Sequence, residues 1–188
     1  KGVFELAKTL PLILTKYPNT ELTLIGNASE EQKNILLKNA NYSENLKIVN
    51  ASSQICMCKI LKQNDIFILP SYYEALGLVA VEALACGLFT VTTEIEGLIN
   101  LLGEKINTSG IIEFVKLPRI YDVDKAYEED KPAFVKGLAE KIMLQMERLK
   151  SQKDFYSPVA EEIKKHSWDS IIDRVEKEIK DVYIDFYS

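Results

Sequence analysis

Apolar and polar positions alternate between a helical period and short extended runs over the first two thirds of the chain. The helical spacing predicts helices over Gly2–Tyr17, Glu30–Asn39, Ile55–Lys62 and Gly77–Ala85. The apolar runs predict strands at Glu21–Ile25, Leu46–Val49, Asp65–Leu69 and Leu88–Thr92, with a fifth at Ile111–Val115. Strands joined by such helices favour a parallel sheet, and wholly apolar strands favour burial on both faces. The pattern therefore predicts an α/β fold, with a doubly wound parallel sheet between two layers of helices.

The last third of the chain has a different character. From about Pro132 the pattern is almost entirely helical, with helices before and after Pro158 and a long apolar stripe from Ile171 to Phe186. Between sheet and tail, Lys116–Lys131 shows no clear period, and a gap of this length is either functional or mobile. We expect one domain, with a sheet-containing core over about residues 1–150 and a helical tail over about 151–188.

Composition narrows the classes of function. The net charge of -5 counts against a protein that binds the phosphate backbone of nucleic acids. His166 is the single histidine, so catalysis that needs several histidines is almost excluded. No run approaches the ~20 apolar residues of a transmembrane helix, and we expect no membrane span. Three cysteines cannot pair completely, which favours a reducing, cytoplasmic environment.

The informative segment is Ser71–Gly87, which leaves a predicted strand, crosses a short loop and enters a helix. A helix that begins at the carboxyl end of a parallel strand directs free N–H groups and a positive dipole end into the ligand crevice. Gly77 allows close approach of a ligand to the backbone, because it has no Cβ. This arrangement suits a phosphate group.

Two glutamates accompany this helix start. Glu82 has apolar neighbours on nearly every side, so we expect a buried helix in which an ionised carboxylate needs partners. The partner is either a protein donor or the vicinal hydroxyls of a ribose; the alternative is a surface glutamate on an exposed strip. Glu74 lies in the loop, where a solvated acid is nearly as plausible as a site residue.

The segment PSYYEALGLVAVEALACG resembles the two-glutamate motif of retaining nucleotide-sugar glycosyltransferases of the family-four type. The resemblance extends back through Asp65–Ser71 and Leu22–Gly26 to Lys1, and forward to Ser167 and Trp168. It implies a Rossmann-like donor-binding domain, the C-terminal half of the two-domain GT-B architecture. One departure is Glu94-Ile95-Glu96-Gly97, where members of the family often have a pair of glycines.

The resemblance also implies roles for single residues. Glu82 would hold the ribose hydroxyls, Glu74 would face the transferred sugar, and Lys1 would pair with the diphosphate. The backbone amides expected to line the sugar and diphosphate are those of Ala75, Leu76, Gly77 and Leu78. The residues expected to border the base are Val49, Asn50 and Ala51.

By the same resemblance, the expected substrate is a nucleotide-sugar, with a glycan, a lipid-linked group or a small molecule as acceptor and with no metal or other cofactor. The chain begins at Lys1, within helical periodicity and without a methionine. We therefore expect a fragment that lacks the N-terminal acceptor domain and the first strand of this domain, and that transfers no sugar alone. That N-terminal domain would also provide any peripheral membrane attachment. Two alternatives remain open, a nucleotide-sugar epimerase of the same architecture and a non-catalytic interaction domain.

Overall fold

A computed structural model describes residues 2–187. Within them, the helices are α1 Val3–Leu14, α2 Glu30–Asn39, α3 Gln54–Leu61, α4 Leu78–Ala85, α5 Glu96–Asn107, α6 Lys131–Lys150, α7 Ala160–Lys164 and α8 Trp168–Tyr187. The strands are β1 Leu22–Ile25, β2 Leu46–Val49, β3 Ile66–Leu69, β4 Phe89–Thr93, β5 Ile112–Val115, β6 Ile120–Asp122 and β7 Lys125–Ala126. The five predicted strands are therefore all present.

The five main strands are parallel and form two hydrogen-bonded groups. β1 pairs with β2, with Leu22 opposite Leu46. β4 lies between β3 and β5, with Ile66 opposite Phe89 and Thr90 opposite Ile112. Within each group the strands run in the same direction, so their carboxyl ends lie at one edge of that group.

Helices cover both faces of these strands. On one face, α1, α2 and α6 bury a core that includes Leu10, Leu36 and Leu138. On the other face, α4, α5 and α7 bury a second core that includes Leu84 and Leu98. The prediction of an α/β fold with helices on both faces is confirmed.

A local sequence signal explains where α2 begins. The Ser29 hydroxyl accepts a hydrogen bond from the Gln32 backbone N–H at 3.2 Å, and the Gln32 side chain accepts one from the Ser29 N–H at 3.0 Å. This reciprocal pair is a capping box, which satisfies two otherwise free donors at the start of α2. Ser29 is therefore the N-cap of α2.

The region from residue 94 to residue 131 is more ordered than the sequence pattern indicates. α5 lies over Glu96–Asn107, where we predicted no helix, and its backbone is interrupted at Gly103 with φ 72° and ψ 170°. β6 and β7 form an antiparallel hairpin within residues 116–131, where the sequence shows no clear period. Arg119 fastens the base of this hairpin through hydrogen bonds to both carboxylate oxygens of Asp130.

Beyond Pro158 the tail forms α7 and α8. Val159 and Ile163 are buried against the second core, so α7 packs on the sheet-containing part of the chain. On α8, the Ile172, Val175 and Ile179 side chains of the predicted apolar stripe are half exposed or more. The side chains of the rest of the stripe, from residue 181 onward, lie outside the part that the structure describes.

Candidate functional site

The loop over residues 70–77 leaves the carboxyl end of β3 and leads into α4. We call it the β3–α4 loop. Gly2 contacts Pro70 at the start of this loop, and α1 leads from there to the amino end of β1. The carboxyl ends of β1 and of its parallel neighbour β2 therefore face the same side as the loop. Val49, Asn50 and Ala51 follow that edge at β2, with Asn50 exposed and the other two half-buried. β2 and β3 belong to different hydrogen-bonded groups, so the two segments do not follow directly paired strands.

Gly2 and Gly97 contact the backbone of the β3–α4 loop at two different points. A Cβ at Gly2 would lie 1.8 Å from the Pro70 carbonyl oxygen, and one at Gly97 would lie 2.1 Å from the Ala75 carbonyl oxygen. Both distances are far shorter than any real contact, so only glycine allows α1 and α5 to approach the loop this closely. Gly97 is a residue that sequence reasoning noted only as part of a departure from the family pattern. A glycine in the first turn of a helix after a buried strand is the signal that could have identified it.

The loop also needs a glycine at its own end. Gly77 is the N-cap of α4 and has φ 60° and ψ 42°, a left-handed conformation that side chains disfavour. A Cβ there would lie 3.0 Å from Leu69 Cδ2. Gly77 therefore both permits the turn and packs closely on the end of β3.

Glu74 is oriented from within the loop. The Ser71 hydroxyl donates a hydrogen bond to Glu74 Oε1 at 3.2 Å. Ser71 is itself buried, and its carbonyl oxygen accepts a hydrogen bond of 2.6 Å from the buried hydroxyl of Thr93 at the end of β4. The Glu74 carboxylate is thus half-buried and positioned by two neighbouring strands, through Ser71 and Thr93. Sequence reasoning did not single out either of these two residues.

Glu82 lies one turn into α4 and is half-buried. Our expectation of a helix buried on nearly every side is wrong, because Leu78 is 44% exposed and Ala85 is exposed on the strip that also carries Glu82. Residues at this spacing share one face of a helix. Within residues 2–187 the Glu82 side chain has no hydrogen bond or ion pair, so its oxygens face partly toward solvent and are free to accept hydrogen bonds.

The start of α4 presents free backbone donors. Ala75, Leu76 and Leu78 are exposed, whereas Gly77 is buried against β3. The amides of residues 75–78 make no hydrogen bond within the described part of the chain. Such a helix start, with free N–H groups and the positive end of the helix dipole, attracts anions.

Lys1 and Tyr72 are the remaining residues of interest near the β3–α4 loop. Lys1 lies outside the described residues, although the neighbouring Gly2 contacts Pro70. Tyr72 is 7% exposed and packs edge to face on Phe134, with ring centroids 5.5 Å apart. Burial, with a contribution from the Glu5 carboxylate, raises the pKa of the Tyr72 phenol. Tyr72 therefore fills the core beneath the loop.

Residues 2–187 contain no group of three or more His, Cys, Asp or Glu side chains arranged to hold a metal ion. None of the helices in that range combines the length and apolar character needed to cross a bilayer.

Comparisons with known proteins show the family of this chain. The model of the family described as "Glycosyl transferases group 1" matches residues 1–116. A glycogen synthase of Mycobacterium tuberculosis is 35% identical over 101 residues, which is 52% of this chain and 24% of the relative. The matched segment thus spans about a quarter of the length of that relative.

Two solved structures show the same fold. The C-terminal domain of a glycosyl transferase group 1 family protein from Francisella tularensis superposes with a TM-score of 0.62 at 19% identity, covering 88% of this chain and 79% of that domain. The pneumococcal O-GlcNAc transferase GtfA, solved with UDP and GlcNAc, gives a TM-score of 0.70 at 14% identity, covering 97% of this chain and 33% of that one. The chain therefore belongs to the group 1 glycosyl transferases and has the fold of a C-terminal domain of the GT-B type.

Proposed function

We propose that residues 1–188 form the donor-binding part of a glycosyltransferase that transfers a hexose from a nucleotide-sugar with retention of anomeric configuration. The donor lies along the carboxyl edge of the sheet, over the β3–α4 loop. We assign the diphosphate to the free amides of residues 75–78 and the ribose hydroxyls to Glu82. Glu74 faces the sugar, the base lies near residues 49–51, and Lys1 pairs with the diphosphate.

This proposal rests on two carboxylates near the start of α4, Glu74 before the helix and Glu82 within it, which differ in their hydrogen-bond partners. Glu74 is oriented by Ser71, whereas Glu82 has no partner within residues 2–187. A carboxylate with two free oxygens suits two vicinal hydroxyls. The amides between them suit the charge of a diphosphate, so a nucleotide-sugar matches the order of groups along the loop.

The chemistry needs little more than charge stabilisation from these residues. When the nucleoside diphosphate departs, negative charge grows on its phosphate oxygens while the sugar becomes cation-like. Amides already directed at the phosphates stabilise that charge without reorganisation. The Glu74 carboxylate lies where it can interact with the sugar as positive charge develops. The departing phosphate is then the base that takes the proton of the acceptor hydroxyl.

The acceptor is positioned by a second, N-terminal domain in this proposal, and the protein acts in the cytoplasm. Positioning of two reactants contributes about 7–11 kcal/mol to barrier lowering in favourable cases, so this domain alone is inactive in transfer. The matched segment covers only 24% of the glycogen synthase relative, and a much longer relative supports a second domain with a separate role.

The experiment is a thermal unfolding panel with uridine, guanosine and adenosine diphosphates and their sugar conjugates. Ligand at 100 times its dissociation constant stabilises a folded domain by about 2.7 kcal/mol. We expect one base to raise the melting temperature and the others to have less effect. If no nucleotide shifts the melting temperature at millimolar concentration, the chain is a non-catalytic domain and the proposal is wrong. Analysis of the anomeric product of the full-length enzyme tests retention and separates transfer from epimerisation.

A further inference from the structure

The hairpin of β6 and β7 lies at the same edge of the molecule as the β3–α4 loop. β3 and β5 are both parallel to β4, so the segments that follow β3 and β5 leave the carboxyl ends of one hydrogen-bonded group. The hairpin belongs to the segment after β5, residues 116–131. The family model matches residues 1–116, so family membership assigns no role to the hairpin.

The hairpin is fixed to the sheet-containing part of the chain. Leu117, Ile120 and Ala126 pack on the first core, and Ala126 is buried there. Lys131 Nζ, just beyond the hairpin, lies 3.8 Å from the buried carboxylate of Glu5 in the first turn of α1. The hairpin is therefore a firm support for the side chains on its other face.

Two tyrosines occupy that other face. Ile120 pairs with Ala126 and both contact the core, so by strand alternation the next residues, Tyr121 and Tyr127, face outward. Their rings pack edge to face with centroids 5.1 Å apart, yet Tyr121 is 59% exposed and Tyr127 is 41% exposed. An edge-to-face pair leaves at least one broad ring surface open to solvent. We call these two exposed rings the aromatic face.

Exposed tyrosines are concentrated at this edge of the molecule. Among the tyrosines whose side chains the structure describes, four are exposed, and three of these, Tyr73, Tyr121 and Tyr127, follow the carboxyl ends of β3 and β5. The fourth, Tyr42, precedes β2 and lies at the opposite edge. Large rings left in water beside a candidate site indicate a surface that binds a ligand.

The charges around the aromatic face cancel one another. Residues 116–131 carry four lysine or arginine and five aspartate or glutamate side chains. Ion pairs join most of them: Arg119 with Glu129 and Asp130, Lys125 with Asp122, and Lys131 with Glu128. The surface therefore lacks the excess of positive charge that attracts nucleic acids or anionic lipids. Asp122 and Asp124 also flank Val123 at the tip, so entry of the tip into a bilayer would bury carboxylates.

A pyranose ring matches such a surface. One face of a hexopyranose presents mainly C–H groups, which pack on an aromatic ring and leave water together with it. The hydroxyls of the sugar lie around its rim, where they exchange hydrogen bonds with charged side chains such as Arg119 and Asp124. A neutral sugar needs no net charge on the protein, and the chain belongs to a family of glycosyl transferases.

We propose that the aromatic face binds a neutral oligosaccharide of hexopyranose units, and that this oligosaccharide is the acceptor. The hairpin holds a sugar unit that is distant from the reacting hydroxyl, while the reacting end extends along the same edge toward the donor at the β3–α4 loop. This inference rests on the proposed function for the donor site. It narrows the acceptor to a glycan.

The test is a nuclear magnetic resonance titration of residues 1–188 with isotope labels in the tyrosine rings. The probes are four uncharged tetrasaccharides, namely maltotetraose, cellotetraose, mannotetraose and chitotetraose, each at millimolar concentration. Vesicles of phosphatidylcholine and phosphatidylglycerol form a separate arm. The variants are Tyr121→Ala, Tyr121→Phe, which keeps a ring, and the control Tyr42→Ala, which removes an exposed tyrosine from the opposite edge. Melting temperature and nucleotide affinity are measured for each variant.

We expect at least one tetrasaccharide to change the ring signals of Tyr121 and Tyr127 and not those of Tyr42. Tyr121→Ala should weaken binding of that tetrasaccharide at least ~5-fold, because an apolar contact is lost, whereas Tyr121→Phe and Tyr42→Ala should bind within ~2-fold of the parent. Melting temperature and nucleotide affinity should be unchanged in all three variants.

The proposal is overturned if no tetrasaccharide binds, if Tyr121→Ala binds as well as the parent, or if vesicles and not sugars change these signals. Nucleotide binding without sugar binding would overturn this inference alone and leave the proposed function intact. Sugar binding without nucleotide binding would overturn the proposed donor site, and with it the role of the bound sugar as acceptor.

Discussion

At the scale of single residues, the carboxylates of this chain differ in how they are satisfied. Glu113 on β5 has a side chain that is 14% exposed and lies 2.6 Å from Arg148 Nη1, with Lys141 also bonded to it. Burial alone would raise the pKa of Glu113, but hydrogen bonds from Lys141 and Arg148 outweigh it and lower that pKa. Glu113 is thus a structural ion-pair residue that joins β5 to α6.

The lowered pKa of Glu113 predicts a pH-dependent contribution to stability. A carboxyl with a depressed folded-state pKa stabilises the fold above its unfolded pKa, and this stability is lost as pH falls through the folded value. We expect Glu113→Gln to lower the free energy of unfolding at pH 7 by roughly 1–3 kcal/mol, the scale of a lost charged hydrogen bond. The difference between variant and parent should shrink as pH falls below about 4.

Urea unfolding at pH 7 and at about pH 3.5 measures this dependence. Glu140→Gln is the matched control, because Glu140 is also paired with a lysine of α6 but is 61% exposed. Such surface pairs contribute about 0–1 kcal/mol. A loss at Glu113 that is equally large at both pH values would mean that packing, and not charge, explains the contribution.

At the scale of elements, replacing a helical glycine by alanine should change the free energy of unfolding in opposite directions at Gly97 and at Gly137. Gly97→Ala places a methyl group 2.1 Å from the Ala75 carbonyl oxygen, so α5 and the β3–α4 loop must move apart. We expect a lower free energy of unfolding and weaker nucleotide binding. Gly137→Ala on α6 is the control, since its Cβ would lie 3.7 Å from Val115 Cγ1, an ordinary contact.

Alanine replaces glycine favourably in an unstrained helix by about 0.5–1 kcal/mol, so Gly137→Ala should stabilise the chain. Chemical unfolding and nucleotide titration of both variants give the comparison. If Gly97→Ala also stabilises the chain and leaves binding unchanged, the loop does not depend on close contact with α5.

The same elements show how far sequence pattern alone predicts this structure. β3, α4 and the Ser29 cap carry strong local signals, and their positions are predicted to within about two residues. α5 has no polar N-cap, because Ile95 occupies that position, and Gly103 interrupts its period. The hairpin strands span three residues or fewer and depend on Arg119, whose partners Glu129 and Asp130 lie ten and eleven positions away. Such pairings do not appear in a short window of sequence.

The candidate site was predictable in part for a related reason. A strand, a glycine and two glutamates in one segment identify the β3–α4 loop from sequence alone. The residues that contact and position that loop are distant from it in sequence, since Gly2 precedes it by about seventy residues and Thr93 follows it by about twenty. Exposure of the Leu78, Glu82 and Ala85 strip is set by what packs on α4, which hydrophobic pattern does not specify.

At the scale of the whole molecule, we expect residues 1–188 to bind a nucleotide-sugar and transfer none of it. Transfer requires an acceptor held in line with the sugar carbon and a site closed to water, which a second domain provides in the proposed function. The measurement is sugar transfer to candidate acceptors by this chain alone and by a longer protein that includes an N-terminal domain. Repeated turnover by residues 1–188 alone would show that the acceptor site lies within this domain.

The central claim is that Glu82 holds the ribose of a nucleotide at the start of α4. The most direct measurement is calorimetric titration of the best-binding nucleoside diphosphate and its 2′-deoxy analogue into the parent chain, Glu82→Gln and the control Glu104→Gln. Glu104 is exposed and lies near the far end of α5. We predict that the parent and Glu104→Gln prefer the ribonucleotide by roughly 1–3 kcal/mol, and that Glu82→Gln loses most of this preference while its melting temperature is unchanged. A preference for the ribonucleotide that is equally strong in Glu82→Gln would contradict the account.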